Sequence, residues 1–177
     1  MEFKELVKKR QSDRKYSAIP VEEEKITQCI ETARLAPSAC NAQPWKFVIV
    51  DNPEIKNAVA ECCAGMGMNK FAHEAPVILA LILEKPNMAS KIGSVLKGKE
   101  YMLMDIGIVA NQFCLQATEL GLATCMIGWF NEKKVKKLLD LPSSKRIPLL
   151  ITLGYSDSPT REKTRKTIDE IYCKNRY

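Results

Sequence analysis

Residues 100–120 read EYMLMDIGIVANQFCLQATEL, and this stretch decides the architecture. Met102, Leu103, Met104, Ile106, Ile108, Val109, Phe113, Leu115 and Leu120 fall at helical spacing but wrap more than one face. A helix that is apolar nearly all round must be covered nearly all round. It is not a membrane span. The stretch between Asp105 and Glu119 contains Asn111, Gln112 and Gln116, and no apolar run in the chain reaches the ~18 residues a bilayer requires. In a chain of 177 residues, the sequence therefore predicts a long central helix with a partner subunit over one side.

Working outward, residues 2–10 place Phe3, Leu6, Val7 and Arg10 at helical spacing. A second helix is expected from Val21 to Ala36, with Glu22, Glu23 and Glu24 in its first turn, where the helix dipole favours anions. Pro37 sets its end. Residues 45–50 (WKFVIV) read as a strand. Asn52-Pro53 is a cap followed by a first-turn proline and opens a helix to about Cys63. Val77 to Leu83 shows no polar alternation, so both faces of that strand should be buried. Residues 84–98 read as a loop or a short helical excursion. Further strands are expected at Cys125–Trp129 and Pro148–Leu153, with an amphipathic helix from Glu132 to Leu139 between them. Four strands and several helices without βαβ repetition give one layered α+β domain over residues 1–177.

Composition narrows the classes. A hydrophobic fraction of 46% excludes disorder, and the length suffices to bury a core without staples. The N-terminus MEFKELVKKR has no apolar signal region, and the seven cysteines form no CxxC or zinc-ligand spacing. Both point to the cytoplasm and to reduced, mostly buried thiols. With His73 as the only histidine, metal and acid–base constellations find little to work with. The near P-loop at Gly93–Glu100 lacks its Ser or Thr, and the glycine pair at Gly65 and Gly67 lacks a third glycine. If the chain is an enzyme, a cofactor is expected to carry the chemistry.

The net charge of +6 is not spread evenly. Residues 1–16 carry six basic and three acidic side chains, residues 158–177 six and three, and the remainder is balanced. Either these ends are solvated and frayed, or they meet and form one anion site. Two motifs carry a sharper signal. In RQSDRKY (10–16), Arg10 and Arg14 flank the Ser12 hydroxyl and offer forked donors suited to phosphate. In APSACNAQPW (36–45), two prolines stiffen a loop that presents Ser38, Asn41 and Gln43. Taken alone, that loop is equally an ordinary capped turn.

Together and in this order, the two motifs resemble the nitroreductase family of flavin enzymes. EAPVILAL (74–81), Asp105-Ile-Gly107, GLATCMIG (121–128) and the basic Arg165-Lys166 match the family pattern too, so the resemblance covers nearly the whole chain. It implies a three-layer α+β sandwich, a mostly antiparallel sheet flanked by helices, and a homodimer with FMN at the subunit interface. Arg10, Gln11 and Ser12 would hold the FMN phosphate, with Arg165 and Lys163 completing the clamp. Arg14 and Lys70 would approach the N1/O2 edge of the flavin. Pro37, Ser38, Ala39 and Asn41 would come from the other subunit. Ile127 and Gly128 would lie against the ring.

The implied reaction is a ping-pong, two-electron reduction. NADH or NADPH would reduce the flavin, and a nitroaromatic, quinone or similar electron-poor acceptor would then take its place. A different reaction on the same flavin, reductive dehalogenation or flavin fragmentation, is the alternative, since Trp129 follows Gly128 and the 84–98 segment is short. A basic nucleic-acid-binding module is the remote alternative. No RNA-binding signature, finger or glycine-rich arm supports it, and neither nucleic acid nor membrane is expected as a partner.

Overall fold

The computed structural model describes residues 1–85, 96 and 98–177. Most of the expected 84–98 excursion, and the start of the near P-loop, lie outside the described residues. Four strands form one sheet in the order β1-β2-β4-β3: β1 (Trp45–Val50), β2 (Val77–Leu83), β3 (Ala123–Ile127) and β4 (Arg146–Gly154). Every adjacent pair is antiparallel. Among the described residues, the helices whose bounds are assigned are α1 (Phe3–Lys9), α2 (Glu23–Ala33), α3 (Pro53–Cys63), α4 (Tyr101–Glu119), α5 (Glu132–Leu138) and α6 (Ile168–Ile171).

The sheet sits between two helical layers, and strand alternation decides which residue faces which layer. Along β2, Val77, Leu79 and Leu81 join Ile106, Val109 and Phe113 of α4 and Cys29 and Ala33 of α2. The intervening Ile78, Ala80 and Ile82 face the opposite way, onto Val59 and Ala60 of α3 and Val135 of α5. β2 is thus buried on both faces, as its unbroken apolar run demands. Phe113 is fully buried and its ring lies 6.2 Å from that of Phe47.

Several boundaries move from their sequence expectation. α2 begins at Glu23, because Glu22 is extended and its carbonyl accepts the first helical bonds. It ends at Ala33, after which Leu35 and Ala36 close tighter three-residue turns ahead of Pro37. β3 starts two residues early and stops at Ile127, since pairing with β4 runs from Ala123↔Gly154 to Ile127↔Leu150 and releases Gly128 and Trp129 from the sheet. β4 extends across Pro148. A proline cannot donate to a ladder, and here it sits where the β2 pairing slips between Leu81 and Leu83.

The central helix is half covered within one chain. Ile106, Val109, Ala110 and Phe113 are buried, but Leu103, Met104 and Ile108 are 45%, 53% and 42% exposed. Met104 and Ile108, together with Phe3 and Leu6 of α1, bound an open groove of about 660 Å3.

Gly154 ends β4 where Tyr16 and Pro76 close in. A Cβ there would stand 2.6 Å from Pro76 Cδ and 3.0 Å from Tyr16 Cδ1. Gly154→Ala should therefore destabilise the protein by about 1–3 kcal/mol, the range for overpacking a filled core, read as a lower urea midpoint. The thiols supply a second check. Five cysteines are buried, and burial raises all five, Cys29 and Cys63 to about 12 and Cys114 to about 11. Since the thiolate is the reactive form, a thiol reagent at pH 8 should modify only Cys40 and Cys173 in the native protein, and all seven after denaturation.

Candidate functional site

After α1 the chain does not turn away. The Asp13 N–H donates to the Thr124 carbonyl at 2.9 Å, and Ser12 forms a parallel bridge with Thr124 of β3. Residues 10–14 thus run as a short extended segment beside the sheet. In an extended chain, alternate residues share a face. The RxSxR spacing therefore turns Arg10, Ser12 and Arg14 to one side, where all three line the same cavity, and turns Asp13 inward. Asp13 is 8% exposed and accepts from Gln11 Nε2 at 2.8 Å. Burial raises the Asp13 carboxyl above its ordinary pKa, against the pull of Gln11, Arg161, the Thr124 backbone and Arg10. Tyr16 locks the segment from behind. Its hydroxyl donates to Asp13 O at 3.0 Å and lies 2.7 Å from Thr152 Oγ1 on β4.

The other basic end arrives on the same side. Past β4 the chain forms a strap that brings Arg161, Lys163 and Arg165 over residues 10–14. The cavity between the two segments is about 330 Å3 and is lined by Arg10, Gln11, Ser12, Arg14, Arg161, Glu162, Lys163, Thr164 and Arg165. Five cations face one carboxylate. Partial desolvation and the like charges of Arg10 and Arg165 hold the Lys163 ammonium below its ordinary pKa. Crowded cations of this kind are relieved by a bound dianion, so the residue set fits a phosphate group.

The remaining candidates divide. Lys70 opens a short helical turn (Lys70–His73) after Asn69, whose side chain donates to the Trp129 carbonyl at 3.1 Å. The Arg14 guanidinium lies 6.0 Å from the Phe71 ring, which brings Arg14 up to the Lys70 turn. Gly128 follows β3 there, and a Cβ at Gly128 would meet nothing within 4 Å. The backbone at Gly128 therefore borders open space, and the Asn69–Trp129 bond ties it to the turn that Lys70 opens. Ile127 is different: it is 2% exposed and its side chain is part of the core. Only its backbone is left to face a ligand.

Pro37, Ser38, Ala39 and Asn41 lie elsewhere, against α4. Ala39 N–H donates to Asp105 Oδ1 at 3.1 Å, and Gln43 N–H to Ser38 Oγ at 2.9 Å. Asn41 Oδ1 accepts from Gln43 Nε2 at 3.1 Å. The side chains expected to reach a ligand thus brace their own loop, in which Cys40, Asn41 and Gln43 adopt left-handed φ of 53°, 51° and 45°. None of them lines the cationic cavity of its own chain.

Two contributors had no role in the sequence reading, although Asp105 stood in a matching motif. Arg161 belongs to the basic end, but nothing in its spacing distinguishes it from its neighbours. Asp105 is 3% exposed, and one of its carboxylate oxygens has no hydrogen-bond partner. Among the described residues no group of histidine, cysteine and acidic side chains could hold a metal ion, and no helix is long and apolar enough to cross a membrane.

Comparison with known proteins agrees with this geometry. A protein of Streptococcus pyogenes named as an NAD(P)H nitroreductase is 30% identical over 97% of this chain and 98% of its own length. The solved structure of an FMN-dependent nitroreductase from Clostridium difficile R20291 superposes with a TM-score of 0.78 at 28% identity, covering 97% of this chain and 98% of that one. The iodotyrosine deiodinase 1 of Rattus norvegicus is 27% identical over 96% of this chain and 68% of its own length. The family model described as the nitroreductase family matches residues 7–68 and 64–155. With that match running from the first helix through the last strand, the chain belongs to the nitroreductase family and is an oxidoreductase.

Proposed function

We propose that the protein is a homodimeric, FMN-dependent NAD(P)H oxidoreductase that reduces small electron-poor acceptors such as nitroaromatics or quinones. The observation that carries this reading is the meeting of Arg10, Ser12 and Arg14 with Lys163 and Arg165 around one cavity of about 330 Å3. Bound FMN supplies the two-electron exchange between nicotinamide and acceptor. The protein's own task is to hold and tune it. Arg10, Lys163 and Arg165 bind the phosphate through charge-assisted bonds, each worth about 1.5–3 kcal/mol, and the Ser12 hydroxyl adds a further donor. Arg14 and Lys70 place positive charge beside the open space at Gly128, where it favours a reduced, anionic ring. His73, the only histidine, is on the surface 3.2 Å from Glu61 of α3, so this reading takes its protons from solvent.

Pairing of two copies through α4 accounts for two otherwise unexplained features. It covers Leu103, Met104 and Ile108, and it lets the braced loop of one copy, Pro37, Ser38, Ala39 and Asn41, close over the ring bound by the other. A loop already fixed by its own hydrogen bonds loses little freedom in doing so. The cytoplasmic setting expected from the sequence is supported by the five buried cysteine thiols. A second reading, reductive dehalogenation on the same flavin, is favoured by the likeness to iodotyrosine deiodinase 1.

The purified protein should be yellow and should bleach anaerobically with NADH or NADPH. Turnover of a nitroaromatic against that of an iodophenol then separates the two readings. Arg10→Ala should lower FMN affinity roughly 10- to 150-fold, as the loss of one such bond implies. Unchanged flavin affinity would remove the phosphate assignment. Met104→Glu with Ile108→Glu should shift the mass in solution from dimer to monomer. A dimer that survives both charges would place the interface elsewhere.

A further inference from the structure

The strap that delivers Lys163 and Arg165 has almost nothing to hold it. From Arg161 to Tyr177 every residue is exposed except the half-buried Lys163, and none joins the core. Its attachment to the body is polar and concentrated on two side chains. Gln11 uses both ends of its carboxamide. Nε2 donates to Pro159 O at 3.2 Å and to Asp13 Oδ1 at 2.8 Å, while Oε1 accepts the Arg161 N–H at 3.0 Å. Arg161 reaches back the other way and donates from Nη2 to Ser12 O at 2.6 Å. Beyond these, Lys163 donates to the Lys8 carbonyl.

We propose that Gln11 and Arg161 are positioning residues that latch the strap onto residues 11–13, so that Lys163 and Arg165 already stand opposite Arg10 and Arg14 before any phosphate arrives. The proposal rests on the phosphate reading of the cavity given above, and it changes the part assigned to Gln11, whose side chain turns to the strap and to Asp13. The chemistry suits the task. A carboxamide offers donors and an acceptor on one rigid plane, and a glutamate of the same shape would lose both donors and stand beside the buried Asp13 carboxyl. The Arg161 guanidinium is spent on a backbone carbonyl of the very segment that supplies Ser12. Holding two cationic segments together costs free energy through like-charge repulsion. Without the latch, the incoming phosphate would have to order the strap itself.

The test compares FMN with riboflavin, which has the same ring and ribityl chain but no phosphate. The full-length protein, freed of flavin, is titrated with each by flavin fluorescence, in the wild type, Arg161→Ala and Gln11→Glu. Parallel samples are exposed to proteinase K with and without saturating FMN. The wild type should prefer FMN. Both variants should lose FMN affinity roughly tenfold with riboflavin binding unchanged, and their straps should be cleaved faster, with protection regained at saturating FMN. Arg161→Ala removes only surface contacts, so its thermal midpoint should stay with the wild type, whereas Gln11→Glu takes the donor from the buried Asp13 and should lower it. A wild type that prefers FMN alongside variants that match it would overturn the latch alone. An equal fall for both flavins would overturn it too, since that marks general damage. A wild type that binds the two flavins equally would overturn the phosphate reading and the latch together.

Discussion

One backbone hydrogen bond, from Asp13 N–H to the Thr124 carbonyl at 2.9 Å, sets the frame for the rest of the site. It adds a fragment of parallel pairing to the β3 edge of an otherwise antiparallel sheet. Once residues 10–14 are extended there, side-chain direction is fixed by alternation and leaves no freedom to the individual residues. Arg10, Ser12 and Arg14 turn to the cavity and Asp13 turns in. Tyr16 then ties that short segment to Thr152 on the neighbouring strand, so the cationic side chains stand on a rigid base.

The concentration of charge is tolerable because the fold does not depend on it. The core is built from β2, β4, α2, α3 and α4, and its two large clusters are apolar, with Asp105 and Lys56 buried beside them. The surface ion pairs, such as Lys8 with Glu5 and Arg34 with Glu31, are exposed and contribute little. The excess of positive charge sits at the open end of the sheet, where solvent screens it until an anion takes over. Asp13 supplies a buried counter-charge beside the cavity, and its raised pKa reflects the burial that this placement demands.

Much of this was legible in the sequence. The unbroken run of Val77–Leu83 announced a strand covered on both faces, and Asn52-Pro53 announced the start of α3. The equal excess of base at residues 1–16 and 158–177 was compatible with a meeting of the two, though equally with two solvated ends. What stayed illegible depends on contacts between distant segments. The ends of β3 and β4 are set by mutual pairing, so Gly128 and Trp129 looked like strand and are not. That Ser38 and Asn41 bond to Gln43 of the same loop was not legible either, because it depends on how the loop folds back on itself. The apolar helix 100–120 announced burial but not how much of it a single chain provides. Arg161 stood in no motif, and Gln11 stood in one that pointed to the phosphate and not to the strap, because a strut between segments 150 residues apart leaves no local pattern.

That separation also orders events in time. The sheet and both helical layers use residues up to Gly154, whereas the cradle closes only through residues 159–165. During synthesis the emerging chain can collapse and protect its apolar strands well before any cation from the strap is available. On the proposed phosphate site, cofactor capture becomes a late step made by a scaffold already folded, and a ribosome-bound chain stopped at Gly154 would be compact but without half of that cradle.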